Sequence, residues 1–161
     1  MMFDEDLNAY EKAENELKRI DHLIYVSLKY TRTVDVMRNI VERMLNAFNF
    51  IFEDLLARAE KEGAIFEIPA APKLQCNILK KLYGDDEKFL EYIEFYLLLR
   101  RFKNAEYTAR QEFRRYVTMT ATFANGDVRT LDIDTITDYY HTMKEFVSYA
   151  KERFDESSES E

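Results

Sequence analysis

The densest group of chemically able side chains is Arg100–Tyr116, RRFKNAEYTARQEFRRY. Six basic residues (Arg100, Arg101, Lys103, Arg110, Arg114 and Arg115) stand against Glu106 and Glu112, a net of +4. The chain holds 23 Lys and Arg against 31 Asp and Glu, −8 overall, so everything outside this stretch sums to −12. Guanidinium groups bind phosphate oxygens, and tyrosine rings set among them offer faces on which a base can stack. On that chemistry Arg110, Arg114 and Arg115 would contact phosphates, while Tyr107 or Tyr116 stacks on an exposed base, with RNA as the ligand. The competing use is internal. Arginines can pair with the abundant carboxylates while their stems cover the preceding apolar helix.

The other constellations offer less. Asp138-x-x-His141 puts two metal-ligand types on one helix face, but di-iron bundles need paired Glu-x-x-His motifs, and this chain has none. Thr135-x-x-Asp138 also matches a capping box, which accounts for Asp138 without a metal. Asp138 and His141 are thus the nearest approach to a metal site, and a metal-dependent bundle enzyme is the second alternative. Asp21-His22 reads as a solvated pair at the edge of a helix. Cys76 lies between Gln75 and Asn77 with no nearby His to activate it, so it reads as a small packing residue. One cysteine excludes an intramolecular disulfide and a Cys-based zinc cluster. Three glycines and no G-x-S-x-G turn leave no phosphate-cradling loop and no nucleophile elbow. The expectation is no catalytic residue and no cofactor, leaning away from an enzyme.

The elements that must position these residues are helices. In the stretch 33–61, Val34, Met37, Val41, Met44, Leu45, Phe48, Ile51, Phe52, Leu55, Leu56 and Ala59 recur at helical three-and-four spacing, uninterrupted by Gly or Pro. This long helix is the element on which the others should pack. Before it, Asp4 to about Lys29 carries the stripe Leu7, Tyr10, Leu17, Ile20, Ile24 and Leu28, with Leu23 widening it. Glu11, Lys12, Glu16, Lys18 and Arg19 fill the outer side. Residues 30–33 set β-branched residues together, and Thr33 is a competent N-cap, so a tight turn and an antiparallel helix pair are predicted over one unbroken rod. Gly63 closes the long helix, and 64–71 is an extended link. Pro72 opens a third helix with Leu74, Ile78, Leu79 and Leu82, ending at Gly84. Asp85 or Asp86 caps a fourth helix, to about Arg101. A short helix is expected over Ala105–Arg114.

Val117, Met119, Ala121 and Phe123 then alternate with Thr118, Thr120 and Thr122, a strand signature followed by Asn125-Gly126. A two-residue turn would set Leu131 on the threonine face. A three-residue turn with Gly126 as a G1 bulge pairs Phe123 with Asp127, and Met119 and Val117 then face Leu131 and Ile133, which unites the apolar side chains. That register is predicted, with the apolar face of the hairpin laid on a helix. Asp134 or Thr135 caps the last helix, striped by Ile136, Tyr139, Tyr140, Met143, Phe146, Val147, Ala150 and Phe154.

A long α-hairpin, further helices and an arginine-centred late segment resemble HEPN-type helical domains, many of which bind or cleave RNA. The likeness covers about residues 4–116. That family's catalytic signature sets a His four to six residues after an Arg. Here Arg110 is followed six positions on by Tyr116, so only Arg110 carries over, and the resemblance implies RNA binding without cleavage.

The sequence therefore predicts a mainly all-α fold. It is a bundle of five to six helices built on a long α-hairpin, with one β-hairpin before the last helix. One domain spans 1–154, and the acidic stretch 155–161 is a disordered tail. The leading functional expectation is a non-enzymatic cytoplasmic interaction module that self-associates, its partner a protein or a second copy. The first alternative is an RNA-binding protein using 100–116. No membrane is expected, since the most apolar run, Phe89–Leu99, is short and contains Glu91 and Glu94.

Overall fold

The computed structural model describes residues 6–156. Helix α1 runs over Ala9–His22, passes through a π-helical stretch, Leu23–Ser27, and ends in a last α turn, Leu28–Tyr30. Asn8 caps it: its side chain accepts from the Glu11 N–H at 2.9 Å, and the Glu11 carboxylate accepts from the Asn8 N–H at 3.3 Å. This reciprocal box starts the helix at Ala9. The expected start at Asp4 lies outside the described residues. The break at 30–33 is present, and the Thr33 hydroxyl accepts from the Val36 N–H to open helix α2, Val34–Lys61. Glu62, Gly63 and Ala64 close α2 in a Schellman motif, with Ala64 N–H to Ala59 C=O at 2.8 Å and Gly63 N–H to Glu60 C=O at 3.1 Å. Gly63 sits at φ +80°, where glycine alone is unstrained.

α1 and α2 are antiparallel: Tyr10 O–H donates to Asp54 at 2.8 Å near one end, and Arg43 reaches Glu16 at 3.5 Å further along. Glu16 corrects the expected outer face of α1. It is buried, because Arg19 from its own helix and Arg43 from α2 both reach its carboxylate. Asp21 is likewise no merely solvated residue, since it accepts from the Tyr140 O–H at 2.9 Å.

Helix α3 (Pro72–Leu82) is short, and its buried residues are Cys76 and Leu79. Asp86 opens helix α4 (Glu87–Asn104). The last helix, α5 (Ile133–Phe154), is capped by Asp132, which accepts from the Thr135 N–H at 2.8 Å. This replaces the expected cap at Asp134 or Thr135: the strand before α5 runs directly into it, so the last strand residue takes the cap. At the core's centre the Phe48 ring stacks on Phe146 with centroids 4.3 Å apart and meets Phe52, Tyr96 and Phe95 at 5.3–6.0 Å. Helices α4 and α5 meet α2 there.

Between α4 and α5 lies a three-stranded antiparallel sheet in the order β1 (Glu106–Arg110), β2 (Thr118–Thr122), β3 (Val128–Asp132). The β2–β3 hairpin has the predicted bulged register. Met119 faces Leu131, the Phe123 N–H donates to the Asp127 C=O at 2.8 Å, and Gly126 has φ +92°. Val117, Met119, Ala121, Phe123 and Leu131 are buried, and Phe123 packs edge-on to Phe102 of α4. The short helix expected over Ala105–Arg114 is instead β1 and a loop. Pairing of Tyr107 with Ala121 and Ala109 with Met119 overrides the helical propensity of Ala, Arg and Gln. The expected tail 155–161 also starts packed: Asp155 is buried and Glu156 reaches Arg58 at 3.4 Å, while 157–161 lies outside the described residues.

Candidate nucleic-acid interface

The basic run divides in two. Arg100, Arg101 and Lys103 end α4, and Arg110 ends β1, five residues or ~17 Å along the strand. The two arginines of the first group are engaged with their own surroundings. The Arg101 guanidinium lies 4.3 Å from the Phe123 ring centroid and 3.8 Å from Asp127, and Arg100 sits 6.0 Å from the Tyr96 ring. Here the internal use of arginine holds.

The second group differs. Arg110, Arg114 and Arg115 are exposed, and none forms an ion pair with a described residue. Arg114 and Arg115 lie on the loop 111–117 that follows β1, and this loop is fixed by its backbone. The Phe113 N–H donates to the Arg32 C=O at 2.6 Å, Arg114 N–H to Gln111 C=O at 3.1 Å, and Val117 N–H to Arg114 C=O at 3.1 Å. Gln111 and Phe113 stand at φ +54° and +66°, a left-handed conformation that L-residues other than Asn and Asp avoid. Phe113 is nonetheless 73% exposed, and Tyr116 65%. An aromatic ring held at strained backbone and turned to water is not explained by packing.

Below the loop lies a cleft of about 310 Å³, lined by Arg32, Arg115, Tyr116, Thr118, Asp132 and Asp134. Arg115 stacks over Tyr116 at 5.4 Å. Asp132 is already engaged as the cap of α5. The cleft thus gathers cations, an aromatic face, carboxylates and a hydroxyl around the aliphatic Ile133.

Tyr107 is placed differently from its sequence neighbours. Its ring lies on the helix side of the sheet, 4.5 Å from the Arg38 guanidinium of α2, with the Arg38 side chain donating to its hydroxyl at 3.2 Å. It anchors β1 and is not beside Tyr116. Arg32, Phe113 and Arg38 complete the arrangement and were not among the residues expected. The Arg32 contribution is a contact across some eighty positions, which no local pattern signals.

Asp138 and His141 lie on the exposed side of α5, and among the described residues no group of three His, Cys, Asp or Glu side chains converges there or elsewhere. Cys76 is buried, and burial pushes its thiol up to about 11, far from a nucleophile at neutral pH. Among the described residues no helix is long and apolar enough to cross a membrane. Comparison with known proteins finds no family model that matches the chain, and no curated protein or solved structure that resembles it significantly.

Proposed function

We propose that the chain is a non-enzymatic binding module whose ligand is single-stranded RNA, held on the 110–118 end of the sheet. One observation carries this reading: Arg110, Arg114 and Arg115 stand exposed and without ion-pair partners among the described residues, within seven positions that also hold the exposed rings of Phe113 and Tyr116, the latter in contact with Arg115. In a chain of net charge −8, cations left unpaired are available to an external anion. A single strand fits better than a duplex, because aromatic side chains stack only on bases that are splayed out. RNA fits better than DNA, because the Asp134 carboxylate and Thr118 in the cleft can bond a 2′-hydroxyl that DNA lacks. The resemblance of the sequence to HEPN-type domains, many of which bind RNA, supports that ligand. Cleavage is not expected, since no His lines the cleft to act as general acid or base.

Fluorescence anisotropy with a labelled single-stranded RNA, a DNA of the same sequence and an RNA duplex tests the reading. Tightest binding to the single-stranded RNA is expected. Absence of binding at low salt, or equal binding of the duplex, would overturn it.

A further inference from the structure

Strand β1 is an outer strand, and each of its five residues, Glu106-Tyr107-Thr108-Ala109-Arg110, is exposed. It contains no Pro, Lys or bulge, its charged residues Glu106 and Arg110 stand only at its two ends, and its only backbone partner among the described residues is β2. Which of its groups face outward follows from the hairpin. The Phe123 N–H bonds across to Asp127, so Phe123, Ala121 and Met119 direct their backbone groups toward β3. Thr122, Thr120 and Thr118 then direct theirs toward β1 and engage Glu106, Thr108 and Arg110. The N–H and C=O groups of Tyr107 and Ala109 are left pointing away from the sheet.

We propose that this edge is a homodimer interface, in which β1 pairs antiparallel with β1 of a second copy about a two-fold axis at Thr108. Only a register that sets outward residues against outward residues is allowed. Centring on Thr108 sets Tyr107 opposite Ala109 of the partner twice, with two backbone hydrogen bonds in each pair. The same register sets Glu106 opposite Arg110 of the partner, again twice. These fall at non-hydrogen-bonded positions, where facing side chains approach most closely. Shifting the axis to Tyr107 or Ala109 loses both charge pairs and shortens the overlap. The pentapeptide is therefore self-complementary in charge, in hydrogen-bond parity and in length, as an isologous contact requires. The opposite edge offers no such match. The equivalent operation on β3 sets Val128 against Asp132, and Asp132 is already the cap of α5. Dimerisation would join the two sheets into one of six strands, with a loop 111–117 at each side.

The two readings share Arg110, which the dimer sets against Glu106 of the second copy, but they are tested apart, since mass is measured without nucleic acid. Sedimentation equilibrium of the full chain between about 1 and 200 µM is expected to show a mass rising from 19.3 kDa toward twice that value. Glu106→Arg and Arg110→Glu should each raise the dimer dissociation constant by about tenfold or more, because each turns two attractive cross-strand pairs into repulsive ones. The double variant carrying both changes restores the pairs and should restore the dimer. Ala109→Pro removes an outward N–H without touching the β2 ladder, and should leave a monomer with an unchanged circular dichroism spectrum. A strict monomer to 200 µM would overturn the proposal. So would a dimer indifferent to these variants, or a double variant that stays monomeric while folded.

Discussion

Replacing Phe113 by Gly separates a binding residue from a packing one, because the two roles predict opposite balances. At φ +66° the phenylalanine carries a left-handed penalty of ~1–2 kcal/mol, which glycine relieves. Against that, glycine loses ~0.5–1 kcal/mol more in backbone entropy on folding. The ring is 73% exposed, so about a quarter of the ~1.5–3 kcal/mol of a fully buried Phe, roughly 0.5 kcal/mol, is also given up. The net lies between a loss of ~0.5 and a gain of ~1 kcal/mol, against the ~3–5 kcal/mol that removal of a core phenylalanine costs. RNA affinity, in contrast, should fall by the ~1–3 kcal/mol of one stacked base, about 5- to 150-fold. Urea denaturation gives the first quantity and anisotropy with labelled single-stranded RNA the second. A destabilisation beyond ~1.5 kcal/mol, or an unchanged RNA affinity, would refute the reasoning.

Asp86 gives a prediction about the scaffold: it caps α4 through the Phe89 N–H at 3.1 Å, accepts from the Tyr149 O–H, and pairs with Arg153 at 2.9 Å. Asp86→Ala should cost ~2–3 kcal/mol in urea unfolding, whereas Asp86→Asn, which keeps the acceptor and the cap, should cost under ~1 kcal/mol. Burial alone would raise this carboxyl, but the Tyr149 and Phe89 hydrogen bonds and the Arg153 charge together hold it below its ordinary value. Its contribution is therefore present above the unfolded value near ~3.9 and is lost as pH falls through the lower folded value, a loss that an acid titration of Asp86→Asn should not show. Cys76, its thiol raised to about 11, should resist iodoacetamide at pH 8 in the native chain and react once unfolded. Rapid native alkylation would contradict its burial.

What the sequence made legible was whatever left a burial pattern. The long helix α2 and the bulged hairpin register both follow from where apolar side chains must go, and Met119 opposite Leu131 could be read directly from the alternation. Strand β1 left no such pattern, since all five residues are exposed and a strand wet on both faces shows no period. Glu106, Ala109 and Arg110 favour helix locally, and the ladder to β2 holds the segment extended. Glu16 was misread for the complementary reason. A buried carboxylate looks like any surface Glu until Arg43, twenty-seven positions on, is seen to reach it. At the candidate interface the arginines were legible by charge and Tyr116 by its place among them. Phe113 was not, because nothing in the local sequence says that a phenylalanine will be pinned to Arg32 and turned outward. Tyr107 was legible as an aromatic among arginines, but the arginine it meets is Arg38 of α2.

The salt dependence of RNA binding tests the central claim most directly. Three phosphate contacts, at ~0.7 released counterions each for a single strand, predict a slope of about −2 in log K against log salt. The variant Arg110→Gln/Arg114→Gln/Arg115→Gln should keep the helical spectrum of the parent, lose most of its affinity, and bring the slope close to zero. Equal affinity and slope in variant and parent would contradict the account, as would loss of the fold, which would make these arginines internal partners after all.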